Sequence, residues 1–143
     1  MKIITIISLL LLSSVSFGQE KADTVAIYIT DGFDNDSVDF LINDIQILKD
    51  QNLESNPYYG LTGDPILLIQ SDSDYIVYCT DYENCNNNTR INVDDKIKLK
   101  FLFNQCVYEE EFDLSKGRHI IIGYVGVYMD IDIWQLNHEP GFE

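Results

Sequence analysis

The stretch KIKLKFLF, Lys96 to Phe103, decides how the rest of the chain is read. Ile97, Leu99, Phe101 and Phe103 share one parity, and Lys96, Lys98 and Lys100 the other. Successive side chains of a strand point to opposite faces, so this pattern is a strand with one core face and one wet face. Such clean alternation belongs to an antiparallel sheet with one solvated side. Asn104-Gln105 then reads as a turn into CVYEEEFDL, residues 106–114. On that second strand Glu109 and Glu111 can lie across from the lysines, each opposite-charge pair contributing roughly 0.2–1 kcal/mol. The dense charge at 96–111 is therefore expected to be a sheet surface and not a site.

Working outward, SKGR turns the chain, with Gly117 free to take positive φ. HIIIGYVGVYM and IDIWQLN follow as further strands, and HEPGFE is read as a tail. Toward the N-terminus, DTVAIYIT places Val25, Ile27 and Ile29 on one face, a half-buried strand. SVDFLI and IQIL flank Asn43-Asp44, a two-residue hairpin signal. A helix competes here: Leu41, Ile45 and Leu48 fit helical spacing, and Asp36 or Ser37 could cap it. The alternation of Val38, Phe40 and Ile42 favours strands over that helix. Lys49 to Pro65, rich in Pro, Gly and Asn, reads as a long connection. ILLIQ and DYIVYCT are strands joined by SDSD turn chemistry, and DYENCNNNTR is a polar loop.

About nine short strands separated by turn signals, with no helix, predict an all-β, antiparallel β-sandwich, Ig-like or jelly-roll-like. No fixed-period repeat is visible. Residues 1–18, MKIITIISLLLLSSVSFG, have a positive start, a short apolar core and small residues at positions 16 and 18. That is the pattern of a secretory signal peptide cut before Gln19, and its apolar core is about half the ~20 residues of a membrane span. Residues 19–143 then form a single domain with no membrane insertion after cleavage. The expected location is exported, periplasmic or secreted.

The chain carries 24 acidic against 9 basic residues, a net charge of −15, and cleavage would remove Lys2 and no acid. Phosphate backbones would be repelled, so nucleic acid is excluded as a partner, and an anionic membrane surface is disfavoured. Such acidity suits a basic protein partner, bound cations or plain solubility. Of three cysteines, Cys79 and Cys85 would close the short loop CTDYENC, while Cys79 and Cys106 would join two strands. The local pairing, Cys79 with Cys85, is favoured for an oxidising compartment, and the third thiol is expected to be buried and inert.

GFDNDSV (32–38), YYGLT (58–62) and FDLSKGRHIII (112–122) resemble segments of small exported bacterial β-sandwich proteins whose role is unassigned. The resemblance implies a fold class and carries over no functional residue.

Three groups are candidates for chemistry. Asp34 and Asp36, within DGFDNDSVDF (31–40), could supply oxygens to calcium, the one cofactor considered. Against it, Gly32 precedes the acids, no Glu follows where an EF-hand needs one, and Asp-Asn-Asp is ordinary turn composition. Tyr124, Tyr128, Asp130, Asp132 and Trp134 share one parity, opposite Val125, Val127, Ile131 and Ile133. An unbroken strand would line up aromatics and carboxylates, a mix suited to a glycan because the rings stack on C–H patches while carboxylates bond hydroxyls. A turn near Met129 would break that line, and Trp134 could instead belong to the core. Ser115, His119 and His138 form no nucleophile elbow, and no zinc or phosphate-loop motif appears. The expectation is a non-catalytic binding or accessory module engaging a protein partner through an acidic surface. A carbohydrate-binding module is the alternative, and a small hydrolase the remote one.

Overall fold

The hairpin formed by β7 (Lys96–Phe103) and β8 (Cys106–Asp113) turns at Asn104 and Gln105, both with left-handed φ (49° and 65°). Left-handed φ at both central residues matches the right-handed twist of the flanking strands. Pairing sets Lys98 opposite Glu111 and Lys100 opposite Glu109, as the charge pattern requires. In this computed structural model, which describes residues 23–125 and 130–142, ten strands form two sheets. The remaining strands are β1 (Thr24–Ile29), β2 (Asp34–Ile42), β3 (Ile45–Glu54), β4 (Ile66–Ser71), β5 (Asp74–Tyr78), β6 (Arg90–Asn92), β9 (His119–Val125) and β10 (Asp130–Leu136).

One sheet has the order β3-β2-β7-β8 and is antiparallel; the other runs β10-β9-β1-β4-β5-β6. In the six-stranded sheet β1 pairs antiparallel with β4 but parallel with β9. The sheet is therefore mixed, which corrects the wholly antiparallel expectation. Alternation reports which face of a strand is wet, not the direction of a neighbour some ninety residues away.

The residues around Asn43-Asp44 form a hairpin and not a helix, with both turn residues at left-handed φ (48° and 64°). β3 runs on to Glu54, so the connection read from Lys49 begins only at Ser55. The cause is a β-bulge. Between the pairs Val38–Gln51 and Phe40–Leu48, β3 holds one residue more than β2. Asp50 takes φ 47° there, and its amide donates to Asp39 Oδ1 at 2.7 Å. That bulge leaves Lys49 and Asp50 both exposed, and a second irregularity, between Phe40–Leu48 and Leu41–Gln46, inserts Ile47, so that Ile47 and Leu48 are both buried and the alternation breaks twice. The strand absent from the expected nine is β6, three residues long and too short to alternate, although Ile91 in it is fully buried.

The two sheets enclose one core. Val25, Ile27 and Ile29 of β1 face Phe40, Ile42, Leu99 and Phe101 of the other sheet in a single apolar cluster. β1 is also covered on its far side, where Ala26, Tyr28 and Ile121 form a second cluster. Phe142 from the C-terminal segment lies on it, its ring 5.3 Å from Tyr28, so the tail is part of the packing. Gly117 does not use a left-handed φ. A side chain there would run into the backbone of Leu136 and Asn137, so glycine is required by close approach.

Cys79 and Cys85 form the favoured disulfide. Asn87 clamps the same loop, accepting from the Cys79 amide at 2.7 Å and donating to the Cys79 carbonyl at 2.8 Å. The Asn86 amide donates to Ile47 O at 2.8 Å, and Leu48 forms a bridge with Cys85, so the loop covers the outer edge of β3. Cys106 is free but exposed, contrary to the buried thiol expected. It lies opposite Phe103 at the first position of the edge strand β8, so it sits at the margin of the core and not within it.

Candidate functional site

The line of aromatics and carboxylates read from Tyr124 to Trp134 is divided by the fold. β9 and β10 are antiparallel neighbours, with Val125 opposite Asp130 and Tyr124 opposite Ile131. Paired residues share a face, so this register puts Tyr124 with Ile131 and not with Asp130. Tyr124 turns to the core side, its ring 5.1 Å from Phe103 and 5.9 Å from Phe33. Asp130, Asp132 and Trp134 lie on the opposite, outer face. Trp134 is 38% exposed and lies over Gly123, where a Cβ would come within 3.1 Å of its ring. Tyr128 lies outside the described residues.

Asp34 and Asp36 fall at the start of β2, on either side of a bulge at Asn35 with φ 55°. The Asp34 amide donates to Asp36 Oδ2 at 2.9 Å. One oxygen of the proposed calcium pair thus closes a local turn. Among the described residues no three His, Cys, Asp or Glu groups come together in a way that could hold a metal ion.

A distinct concavity lies elsewhere, between the connection after β3 and the loop after β5. It is an open cleft of about 600 Å³, and its walls include Glu54, Tyr59, Leu61, Thr62, Asp64 and Asp81. Local hydrogen bonds build it. The Ser55 amide donates to Phe33 O at 2.9 Å, and Ser55 Oγ accepts from the Phe33 amide at 2.9 Å. Asn56 Oδ1 accepts from the Tyr58 amide at 2.9 Å, an Asx-type turn, and its carbonyl accepts from Gly60, which takes φ +63°. This tight turn leaves Tyr58 84% and Tyr59 66% exposed. Thr62 ties the far end to β1, its amide and hydroxyl both donating to Ile29 O at 3.0 and 3.1 Å.

The opposite wall is held by reciprocal bonds. The Asp64 amide donates to Asp81 Oδ2 at 2.8 Å, and Thr80 Oγ1 donates to Asp64 Oδ2 at 3.1 Å. Sequence reading passed over this cleft, because it placed NPYYG in a long polar connection. A signal was present: two adjacent tyrosines inside a Pro/Gly turn serve no alternating core face.

Beneath the cleft, Tyr82 is buried and its hydroxyl lies 3.0 Å from Thr62 Oγ1. Burial, opposed by that hydrogen bond and assisted by Asp81 and Asp64, pushes its phenol up to about 12. An unfolded tyrosine titrates near pH 10, so above that pH the unfolded chain releases a proton that the folded chain keeps. This contribution is complete below pH 10 and is lost as pH rises toward 12. Urea unfolding at pH 9 and 11.5 should show about 2 kcal/mol less stability at the higher pH from this group. The difference between wild type and Tyr82→Phe isolates it, and identical pH profiles would show that Tyr82 does not contribute.

The charge is unevenly compensated. Lys96 pairs with Glu111 at 2.7 Å, Lys98 with Asp44 at 2.7 Å, and Lys100 with Glu109 at 3.0 Å and Asp44 at 3.3 Å. Hydrogen bonds from Lys98 and Lys100 hold the Asp44 carboxyl below its usual range, and those to Glu111 and Glu109 hold the Lys96 and Lys100 ammoniums above theirs. Arg118 pairs with Asp23 at 3.1 Å and Arg90 with Asp74 at 4.0 Å. None of these pairs involves Glu54, Asp64 or Asp81, and among the described residues no Lys or Arg lines the cleft. Comparison with family models, with curated proteins and with solved structures finds no match in any of the three.

Proposed function

We propose that the protein is an exported, non-catalytic binding or accessory module that engages a basic protein partner through its acidic surface. The observation that carries this is the distribution of ion pairs. Among the described residues five of the seven Lys and Arg, namely Arg90, Lys96, Lys98, Lys100 and Arg118, are engaged in ion pairs, while Glu54, Asp64 and Asp81 of the cleft are in none. An uncompensated field of one sign steers and orients an oppositely charged partner. Export draws support from the leader-like residues 1–18 and from the Cys79–Cys85 disulfide, which suits an oxidising compartment. An Ig-like or jelly-roll-like arrangement belongs to the same proposal: two packed sheets gather loops at their ends, where such modules bind.

The test is association with a fluorescent octalysine peptide at increasing salt. Affinity is expected to fall about tenfold or more between 50 and 500 mM NaCl, since screening shortens the reach of the field to a few ångströms. Binding that does not respond to salt would count against the proposal.

A glycan-binding reading keeps one specific support, the half-exposed Trp134 beside exposed Asp132 and Asp130 on the outer face. It rests on three residues of β10, without Tyr124. Trp134 fluorescence should shift in a panel of soluble polysaccharides, and no response across the panel would remove this reading.

A further inference from the structure

The cleft at Tyr59 offers more than an acidic surface. We infer that it receives one protruding lysine or arginine side chain of the partner, its aliphatic stem on Tyr59 and Leu61 and its cationic head among Glu54, Asp64 and Asp81. The inference rests on the reading of the protein as a binder of basic partners, and adds where that partner is gripped.

Four observations lead there. The volume, about 600 Å³, is in the range of built ligand sites and admits a long side chain with its flanking backbone. The lining is divided: Pro57, Tyr59 and Leu61 are apolar, while Glu54, Asp64 and Asp81 are carboxylates. Lysine and arginine have the complementary division, an apolar stem ending in a charged head, and a cation over a tyrosine face gains a further attraction. The carboxylates are oriented in advance, because Asp64 and Asp81 each commit Oδ2 to a loop hydrogen bond. Their Oδ1 atoms enter no hydrogen bond among the described residues, which leaves one acceptor on each for a ligand. Finally, the aromatic wall is carried on a hydrogen-bonded turn. The Asn56–Gly60 turn leaves Tyr58 and Tyr59 exposed, and exposed tyrosines on a preformed backbone support are typical anchors of binding energy.

A metal ion fits this lining less well. Three carboxylates distributed round an open cleft, with no triad positioned to ligate, suit an extended organic cation with several donors.

The experiment compares two pairs of charge-neutralising substitutions for binding octalysine and octaarginine at 50 mM NaCl. Asp64→Asn with Asp81→Asn alters the cleft and keeps the Oδ acceptors that hold its loops. Asp72→Asn with Glu110→Gln removes the same charge from exposed positions elsewhere. The cleft pair is expected to weaken binding at least tenfold, and the distant pair less than threefold. Tyr59→Ala, a change at an exposed side chain without change of charge, should also weaken binding several-fold. Octalysine with acetylated side chains should not bind. The stronger of the two peptides identifies the preferred head group. Equal weakening by both charge pairs, with salt-sensitive binding intact, would overturn the cleft as the grip and leave the acidic-surface reading standing. An absence of binding to either peptide would overturn both.

Discussion

Phe101→Ala is expected to lower the unfolding free energy by about 3–5 kcal/mol, the largest effect of any single substitution considered for this protein. Phe101 is fully buried on β7, directly opposite Phe40 on β2. Its ring is 6.1 Å from Phe40 and 5.9 Å from Phe33, and it lies in the cluster that joins the two sheets. Truncation removes the transfer energy of the ring. It also leaves a cavity that cannot collapse, because the neighbouring Phe40, Leu99 and Ile27 are held on two hydrogen-bonded sheets. Domains of this size are stable by roughly 5–15 kcal/mol, so the variant should unfold at far lower urea. Phe101→Leu should cost about half as much, since most of the volume is kept. A loss under 1 kcal/mol for the alanine variant would mean that Phe101 is not at the centre of the core.

The second large effect is expected at Gly32, within the acidic stretch that first suggested calcium. Gly32 has φ +97°, a conformation that side chains rarely adopt. A Cβ there would lie 2.7 Å from Tyr124 O and 2.9 Å from the Tyr124 ring. Tyr124 is wedged against Phe33 and Phe103 and has little room to move. Gly32→Ala therefore combines backbone strain with overpacking, together about 2–4 kcal/mol. Gly141, where an added Cβ meets nothing within 4 Å, provides the control, and Gly141→Ala should be neutral within about 0.5 kcal/mol. Equal unfolding midpoints for the two variants would refute the role given to Gly32. The glycine in DGFDNDSVDF thus serves the close approach of two chain segments.

Much of this protein was legible because its strands alternate and its turns use the residues that left-handed backbone requires. Asn43-Asp44 and Asn104-Gln105 both take positive φ, and each closes the hairpin expected of it. Lys100 meets Glu109 directly across the ladder, while Glu111 is reached diagonally by Lys96, because Lys98 opposite it turns to Asp44. The local pairing of Cys79 with Cys85 also followed from proximity along the chain. What misled was parity. At Asp50 a bulge reset it and made half of β3 read as loop. The antiparallel register of β9 and β10 flipped it again, putting Tyr124 on the core side and Trp134 on the outer face.

The amino-acid sequence by itself determined the all-β class, most of the strands, the hairpins and the strong negative charge. These depend on side-chain alternation, turn chemistry and composition, all local in the chain. Tertiary structure alone decided that β1 lies parallel to β9, that Tyr124 packs inward, and that Glu54, Tyr59, Asp64 and Asp81 line one cleft. Those facts depend on which distant segments pack together, and that follows from burying both faces of β1 and filling one core between two sheets.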